Sequence, residues 1–267
     1  MKLSLFLATV LLASGSLSRP ARNRRAARTF GSQPLIRVPG KTDATETNGT
    51  ANVSYSSNWS GAVLESPPSG ESFTSAVGTF TVPAVSAGTG SASSWSSSAW
   101  VGIDGDTYGN AILQAGVDFT IDSSGSVTYD SWYEWYPDYA YDFDNFDVSE
   151  GDVITISIAS SSSSEGTVTL TDETTGQSVS QTLSAPSSDA TLAGQNAEWI
   201  VEDFEQNGSL VPLSDFNTVT FTDASATTDS GDSVGLSGAT VIDLKQDNSV
   251  LTSVTIESDS SVEITYV

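Results

Sequence analysis

The sequence contains no histidine and no cysteine, and only nine lysines and arginines in 267 residues. Without His there is no Ser-His-Asp triad; without Cys there is no thiolate nucleophile, no disulfide and no Cys/His zinc site. The few cations are also unevenly placed. Eight of the nine lie at or before position 41, and only Lys245 lies beyond. From residue 51 onward 31 acidic residues face that one lysine. Such a body repels phosphate, so neither nucleic acid nor an anionic membrane surface is expected as a partner. No apolar run is long enough to span a bilayer as a helix. Charged residues make up 16% of the chain, and Ser, Thr and Gly fill much of the rest, a balance that suits strands and turns better than helices.

What is present divides the chain in three. Lys2, the apolar run Leu3 to Ala13 and the small residues Ser16-Leu17-Ser18 have the form of a secretory signal, placed at residues 1–18. Residues 19–52 form a basic segment with no clear period, carrying Arg19, Arg22, Arg24, Arg25, Arg28, Arg37 and Lys41 against Asp43 and Glu46. With export and the charge contrast together, it reads as a propeptide that binds the acidic body as an intramolecular inhibitor. The body is then residues 53–267. Four Asn-x-Ser/Thr triplets, at Asn48, Asn52, Asn58 and Asn207, fit a secreted, extracellular glycoprotein.

The body reads as β throughout. Thr79-Phe80-Thr81-Val82, Val153 to Ile158, Thr167-Val168-Thr169-Leu170 and Thr218-Val219-Thr220-Phe221 alternate apolar with polar residues. Turn clusters separate them at Ser66 to Gly70, Asp122 to Gly125, Glu173 to Gly176 and Asp229 to Asp232. Ser160 to Ser164 reads as a solvated loop. Many short strands at this spacing predict one all-β domain, an antiparallel β-sandwich.

Some strands carry polar residues that a plain sandwich would not need. Ala111, Leu113, Ala115, Val117 and Phe119 form a core face, and Ile112, Gln114, Gly116 and Asp118 the other. Period 2 also groups Asp130, Trp132, Glu134 and Tyr136, then Glu198 with Glu202, and Trp100 with Asp104. As neighbours, these strands would present one surface rich in carboxylates and aromatics with a single amide. Taken one at a time, these residues have plainer explanations: a Gln on a strand is usually a solvated side chain, and an aromatic strand is more often core or a sugar-stacking platform.

Six stretches occur in one order: Asn58-Trp59-Ser60-Gly61, Val77-Gly78-Thr79-Phe80-Thr81-Val82-Pro83, Trp100-Val101-Gly102-Ile103-Asp104-Gly105, Ala111-Ile112-Leu113-Gln114-Ala115-Gly116-Val117-Asp118, Trp132-Tyr133-Glu134-Trp135-Tyr136-Pro137 and Ala197-Glu198-Trp199-Ile200-Val201-Glu202. Over residues 53–267 the chain resembles the fungal glutamic peptidases, the eqolisins. The resemblance implies two packed seven-stranded antiparallel sheets, synthesis with a signal and a propeptide, and cleavage of proteins in acid without sensitivity to pepstatin. It implies Gln114 and Glu198 as the catalytic pair, and Trp100, Asp104, Asp118, Asp130, Trp132, Glu134 and Tyr136 as residues lining the substrate cleft. Tyr108 stands where relatives often carry Cys.

The chemistry agrees with those residue types. Hydrolysis of a peptide without His or Cys can use one carboxylate to activate water and one donor to hold the developing oxyanion. An ordinary Glu titrates near pH 4, so such a base works where a His would be protonated. No metal and no cofactor is expected, and the partners implied are protein and peptide substrates met by a monomer. Two other classes fit the same residues: a glycoside hydrolase using Glu134 and Glu198, and a lectin-like module using the aromatics. Gln114 discriminates, since only the peptidase depends on it.

Overall fold

The computed structural model describes residues 30–39 and 53–267; the predicted signal lies outside the described residues. Among the described residues there are strands and turns but no helix. Strands longer than two residues are β1 (Val53–Ser56), β2 (Trp59–Leu64), β3 (Phe73–Thr81), β4 (Ser94–Ile103), β5 (Ile112–Asp122), β6 (Val127–Tyr136) and β7 (Val153–Ser162). They continue with β8 (Glu165–Asp172), β9 (Gln177–Ser184), β10 (Ala197–Glu202), β11 (Thr218–Thr228), β12 (Thr240–Gln246), β13 (Thr252–Ser258) and β14 (Ser261–Tyr266). One sheet runs β9-β8-β7-β3-β11-β14-β13; the other runs β12-β2-β10-β4-β5-β6, with β1 on the outer side of β12. Leaving aside strands of two residues, each sheet therefore has seven.

The two sheets pack as a sandwich, and the alternation in the sequence explains how. In β7 and β8, Ile154, Ile156, Ile158, Val168 and Leu170 point inward and are fully buried. Their outward neighbours pair across strands through hydroxyls, as in Thr167–Thr182, Thr169–Ser180 and Thr171–Ser178. The opposite sheet contributes Ala99, Val101, Ile103, Leu113, Ala115, Val117, Trp199 and Val201 to the same core. Trp199 reaches across the interior, where its Nε1 donates to the Val77 carbonyl at 2.7 Å. Gly78 makes room for that ring: a Cβ there would lie 2.6 Å from Trp199 Cδ1.

Two details differ from the sequence reading. The β1–β12 pair is parallel. β1 and β2 are joined by a two-residue reversal and flank β12 on either side. Because β2 is antiparallel to β12, β1 must run with it. Ser160 to Ser162 are strand, not loop: they prolong β7, and the chain turns only at Ser163 and Ser164. Their solvated character comes from lying at the exposed end of the strand.

Residues 30–39, assigned from sequence to the basic leader, lie against the outer face of the β1-containing sheet. Phe30–Gly31 pairs with Glu205–Gln206, one arm of a short hairpin whose other arm is Ser209–Leu210. Further on, Leu35 N donates to the Gly105 carbonyl at 3.0 Å and Val38 N to the Tyr55 carbonyl at 2.9 Å.

Candidate active site

The register of the sheet brings the candidate residues together. Glu198 of β10 pairs with Gly102 of β4, Gly102 with Gln114 of β5, and Gln114 with Glu134 of β6. These four residues form one row across four adjacent strands, on the face opposite the core. At the usual inter-strand spacing the Glu198 and Gln114 backbones stand about 10 Å apart. Gly102 between them has no side chain, and Glu198 leans into that gap: a Cβ on Gly102 would lie 2.7 Å from Glu198 Oε1 and 2.8 Å from Trp100 Cζ3. From the other side, Gln114 Nε2 donates to Glu134 Oε2 at 3.0 Å, which fixes how the amide is turned. Glu198 Oε1, Glu198 Oε2 and Gln114 Oε1 are buried without a hydrogen-bond partner among the described residues. Buried polar atoms are normally paired, so three idle acceptors around one gap leave hydrogen-bonding capacity for a water and a peptide group.

This arrangement gives a first expected result. Gly102→Ala should leave the fold in place, since the Gly102 backbone needs no positive φ, yet push the Glu198 carboxyl and the Trp100 ring out of position. Peptide hydrolysis should fall by about 10²-fold, the loss that a misplacement of about 1 Å can cause. The check is kcat/KM beside a thermal melt; an active variant would show that the gap is not where the reaction occurs.

Four residues along each strand, a second row carries Glu202, Ser98, Asp118 and Asp130. Trp100 Nε1 donates to Glu202 Oε2 at 2.9 Å, and Trp132 Nε1 to Ser98 Oγ at 3.0 Å, so both indoles are pinned over this row. Gly116, between Trp100 and Trp132 in the ladder, leaves the space their rings fill, with a Cβ there only 2.9 Å from Trp132 Cζ2.

The ends of the strands are clasped. Asp104 is fully buried at a φ of 67°, and its carboxylate accepts from the backbone N–H groups of Ala193, Gly194, Gln195 and Asn196. In return, Asn196 Oδ1 accepts from the N–H groups of Asp106, Thr107 and Tyr108. Each loop is thus held by a side chain from the other, two residues before Glu198. Tyr108 ties the same loops by donating its hydroxyl to the Thr191 carbonyl at 2.9 Å.

Residues 32–37 lie over the row. Ser32 N donates to Glu134 Oε2 and Gln33 N to Glu202 Oε1, both at 3.1 Å, and Ser32 Oγ donates to Glu202 Oε2. Trp59 Nε1 donates to the Gln33 carbonyl at 2.9 Å, and Leu35 packs against the apolar cluster of Trp59, Val63, Trp100, Ile112, Ile200 and Ile242. Arg37 reaches Asp106 at 2.5 Å and Glu65 at 3.2 Å. Under this cover, burial drives the pKa values of Glu198 and Glu202 up. Glu198 is held well above the usual range by burial, and further by the nearby Asp104 and Asp106 charges. Glu202 is pushed up to about 8 by burial, against the pull of its Ser32, Gln33 and Trp100 hydrogen bonds.

Of the residues read from sequence, Gln114, Glu198, Glu134, Trp100 and Trp132 meet at or beside the row. Tyr136 borders the open part of the cleft, a cavity of about 280 Å³. Asp118 lines a smaller hollow with Ser98, Trp132 and Glu202. Asp130 stands exposed at the far end of the second row, and the Asp104 carboxylate is committed to the 193–196 loop. Sequence reasoning did not single out Gly102, Asn196 or Glu202 as site residues. Period 2 already placed Gly102 between Trp100 and Asp104, and Glu202 beside Glu198.

A β-sandwich with a carboxylic acid and an amide set across a glycine gap on the outer face of one sheet has the architecture of a glutamic peptidase. Comparison with known proteins agrees. The model of the Peptidase A4 family matches residues 57–266, and the chain belongs to that family. It is similar to Aspergillopepsin-2 of Aspergillus niger, at 46% identity over the whole of both chains. Among solved structures it is similar to scytalido-glutamic peptidase with a transition state analog inhibitor, at 40% identity and a TM-score of 0.70, covering 79% of this chain and 98% of that one. It is also similar to SCP-B, a member of the eqolisin family, in a complex with the tripeptide Ala-Ile-His, at 39% identity and a TM-score of 0.66 with the same coverage. The chain is therefore a glutamic-type peptidase acting on peptide substrates, which decides against the glycosidase and lectin readings.

Proposed function

We propose that Glu198 and Gln114 carry out the hydrolysis and that residues 30–39 belong to a propeptide that keeps them silent. The observation that supports the first part is the row itself, with a carboxyl and an oriented amide facing one gap. In its ionised form Glu198 takes a proton from water, and the hydroxyl adds to the scissile carbonyl carbon. One Gln114 Nε2–H is held by Glu134, and the other donates to the oxyanion that forms. Glu198 then returns the proton to the leaving nitrogen as the C–N bond breaks, giving an acid and an amine. Trp100 and Trp132 wall the cleft, with Asp118, Asp130 and Tyr136 along the path of the bound chain. Asp104 acts through the 193–196 loop, setting where β10 begins.

The leader silences the site in two ways. Its backbone occupies Glu134 and Glu202, the places a substrate chain would use. Burial under that cover also favours the protonated form of Glu198, and a protonated carboxyl cannot act as a base. Removing the leader returns water to the cleft and lowers the Glu198 pKa. The same reading makes the mature enzyme residues 53–267, secreted after loss of a signal.

The buried carboxyls also fix a pH dependence. Glu202 is raised to about 8, Asp203 to about 7 and Asp243 to about 6, each chiefly by burial. A group whose pKa is higher folded than unfolded binds more protons in the folded state. Its stabilising contribution is whole below the unfolded value near 4 and is lost as pH rises through the folded one. Thermal melts of the leader-bearing chain should therefore fall from pH 4 to pH 8. Cleaving the leader should lower the melt further at pH 7 and low salt, because Arg37 and its basic neighbours are lost, while raising peptide hydrolysis at pH 4. Melting temperatures that climb with pH, or a leader-bearing chain already fully active, would contradict the account.

A further inference from the structure

The hairpin that receives the leader closes through Asn207 and Gly208, at φ values of 55° and 78°. Both lie in the left-handed region that a two-residue hairpin turn requires, and Asn-Gly is the pair that best tolerates it. The turn accounts for those two residues but asks nothing of the next. Ser209 completes the triplet Asn207-Gly208-Ser209, the acceptor signal for N-linked oligosaccharide in an exported chain. Gln206, Asn207, Gly208 and Ser209 are all exposed. Asn58, which heads another such triplet, is in the opposite situation. It is fully buried, its Oδ1 accepts from Ile36 N at 2.9 Å, and its Nδ2 donates to the Gln33 and Pro34 carbonyls at 3.3 and 3.2 Å. A sugar on that nitrogen would have no room beside the docked leader.

The place of Asn207 gives the triplet a consequence. Asn207 and Gly208 border the 280 Å³ cavity, together with Glu134, Tyr136 and Glu205, and Gly31 and Gln33 of the docked segment form part of its wall. That cavity is the part of the cleft the leader leaves open, and Glu134 joins it directly to Gln114. We propose that Asn207 carries an N-linked oligosaccharide that stands at the rim of the open half of the cleft. There it admits single extended chains and hinders folded protein. The transfer uses a lipid-pyrophosphate-linked oligosaccharide of the secretory path. A bond forms from Asn207 Nδ2 to the sugar C1, the bond from C1 to the pyrophosphate oxygen breaks, the amide gives up one proton, and the lipid pyrophosphate leaves. The inference rests on the peptidase and secretion readings above.

The test uses the full chain secreted by a eukaryotic host, as wild type and as Ser209→Ala. That variant removes the acceptor signal but keeps the Asn-Gly turn, whereas replacing Asn207 would disturb the hairpin itself. Mass spectrometry of fragments should find hexosamine and hexose mass on the Asn207 fragment of wild type, lost on treatment with peptide N-glycosidase. The Asn58 fragment should be bare, and Ser209→Ala should carry nothing at Asn207. After acid activation, Ser209→Ala should cleave a native folded protein several-fold faster than wild type and a short peptide at the same rate. A bare Asn207 in wild type from the medium, a modified Asn58, equal rates on folded protein, or a chain retained in the cell would each overturn the proposal. Wild type inactive on the short peptide would instead count against the catalytic assignment, whatever Asn207 carries.

Discussion

Glu198→Gln is expected to abolish nearly all turnover while leaving the protein folded. The change keeps the size and shape of the side chain and removes its ability to take or return a proton. General acid–base catalysis by a placed side chain contributes about 10²–10⁴-fold. In the proposed mechanism Glu198 both takes and returns the proton, so the loss should lie toward the upper end. The fold should tolerate the change well. Glu198 is fully buried, with neither carboxyl oxygen hydrogen-bonded among the described residues and its pKa driven up by burial, so a neutral amide relieves a cost instead of imposing one. The variant should melt at or above wild type at pH 7. Assays on a denatured protein at about pH 4, beside such melts, decide the matter. A folded variant with wild-type turnover would remove Glu198 from the mechanism.

Gln114→Ala carries the second large effect. It deletes the amide that Glu134 orients and so the proposed donor for the oxyanion, a loss of about 10²–10³-fold in kcat in comparable sites. The signature should be a fall in kcat with KM little changed, because the interaction strengthens only as charge develops on the carbonyl oxygen. The leader-free enzyme is the right material, since on the proposed reading leader-bearing protein would hide both variants behind the same cover. Unchanged kcat with a raised KM would make Gln114 a binding residue only.

The legible parts of this protein were those in which one side of a strand meets water. β7 and β8 alternate cleanly because their outer faces carry hydroxyl ladders, and the turns between strands announce themselves through Gly, Asp and Asn. β2 and β10 do not alternate in burial: every residue of Trp59–Leu64 and of Ala197–Glu202 is buried. One face of each lies in the core and the other under the leader, so hydropathy carries no period there. In the sequence the candidate row is visible only as separate period-2 sets. What joined them is a register that pairs Glu198, Gly102, Gln114 and Glu134 across four strands, and no local signal encodes it. The resemblance implies Asp104 as a cleft residue, and period 2 sets it on one side of its strand with Trp100. Its φ of 67° and its four backbone partners depend on a loop about 90 residues further along the chain. Asn58 reads as a glycosylation triplet in sequence, but in the fold it is a buried bracket for the leader.

The most direct test of the central claim, that Gln114 and Glu198 act together on one water and one carbonyl, is the double variant. Single-turnover rates of leader-free wild type, Glu198→Gln, Gln114→Ala and the combination should be measured on one peptide at about pH 4. Groups that work as a unit lose their effect together. The double variant should therefore react at nearly the rate of Glu198→Gln alone. A double variant slowed by the full product of the two single losses, or either single variant reacting like wild type, would contradict the account.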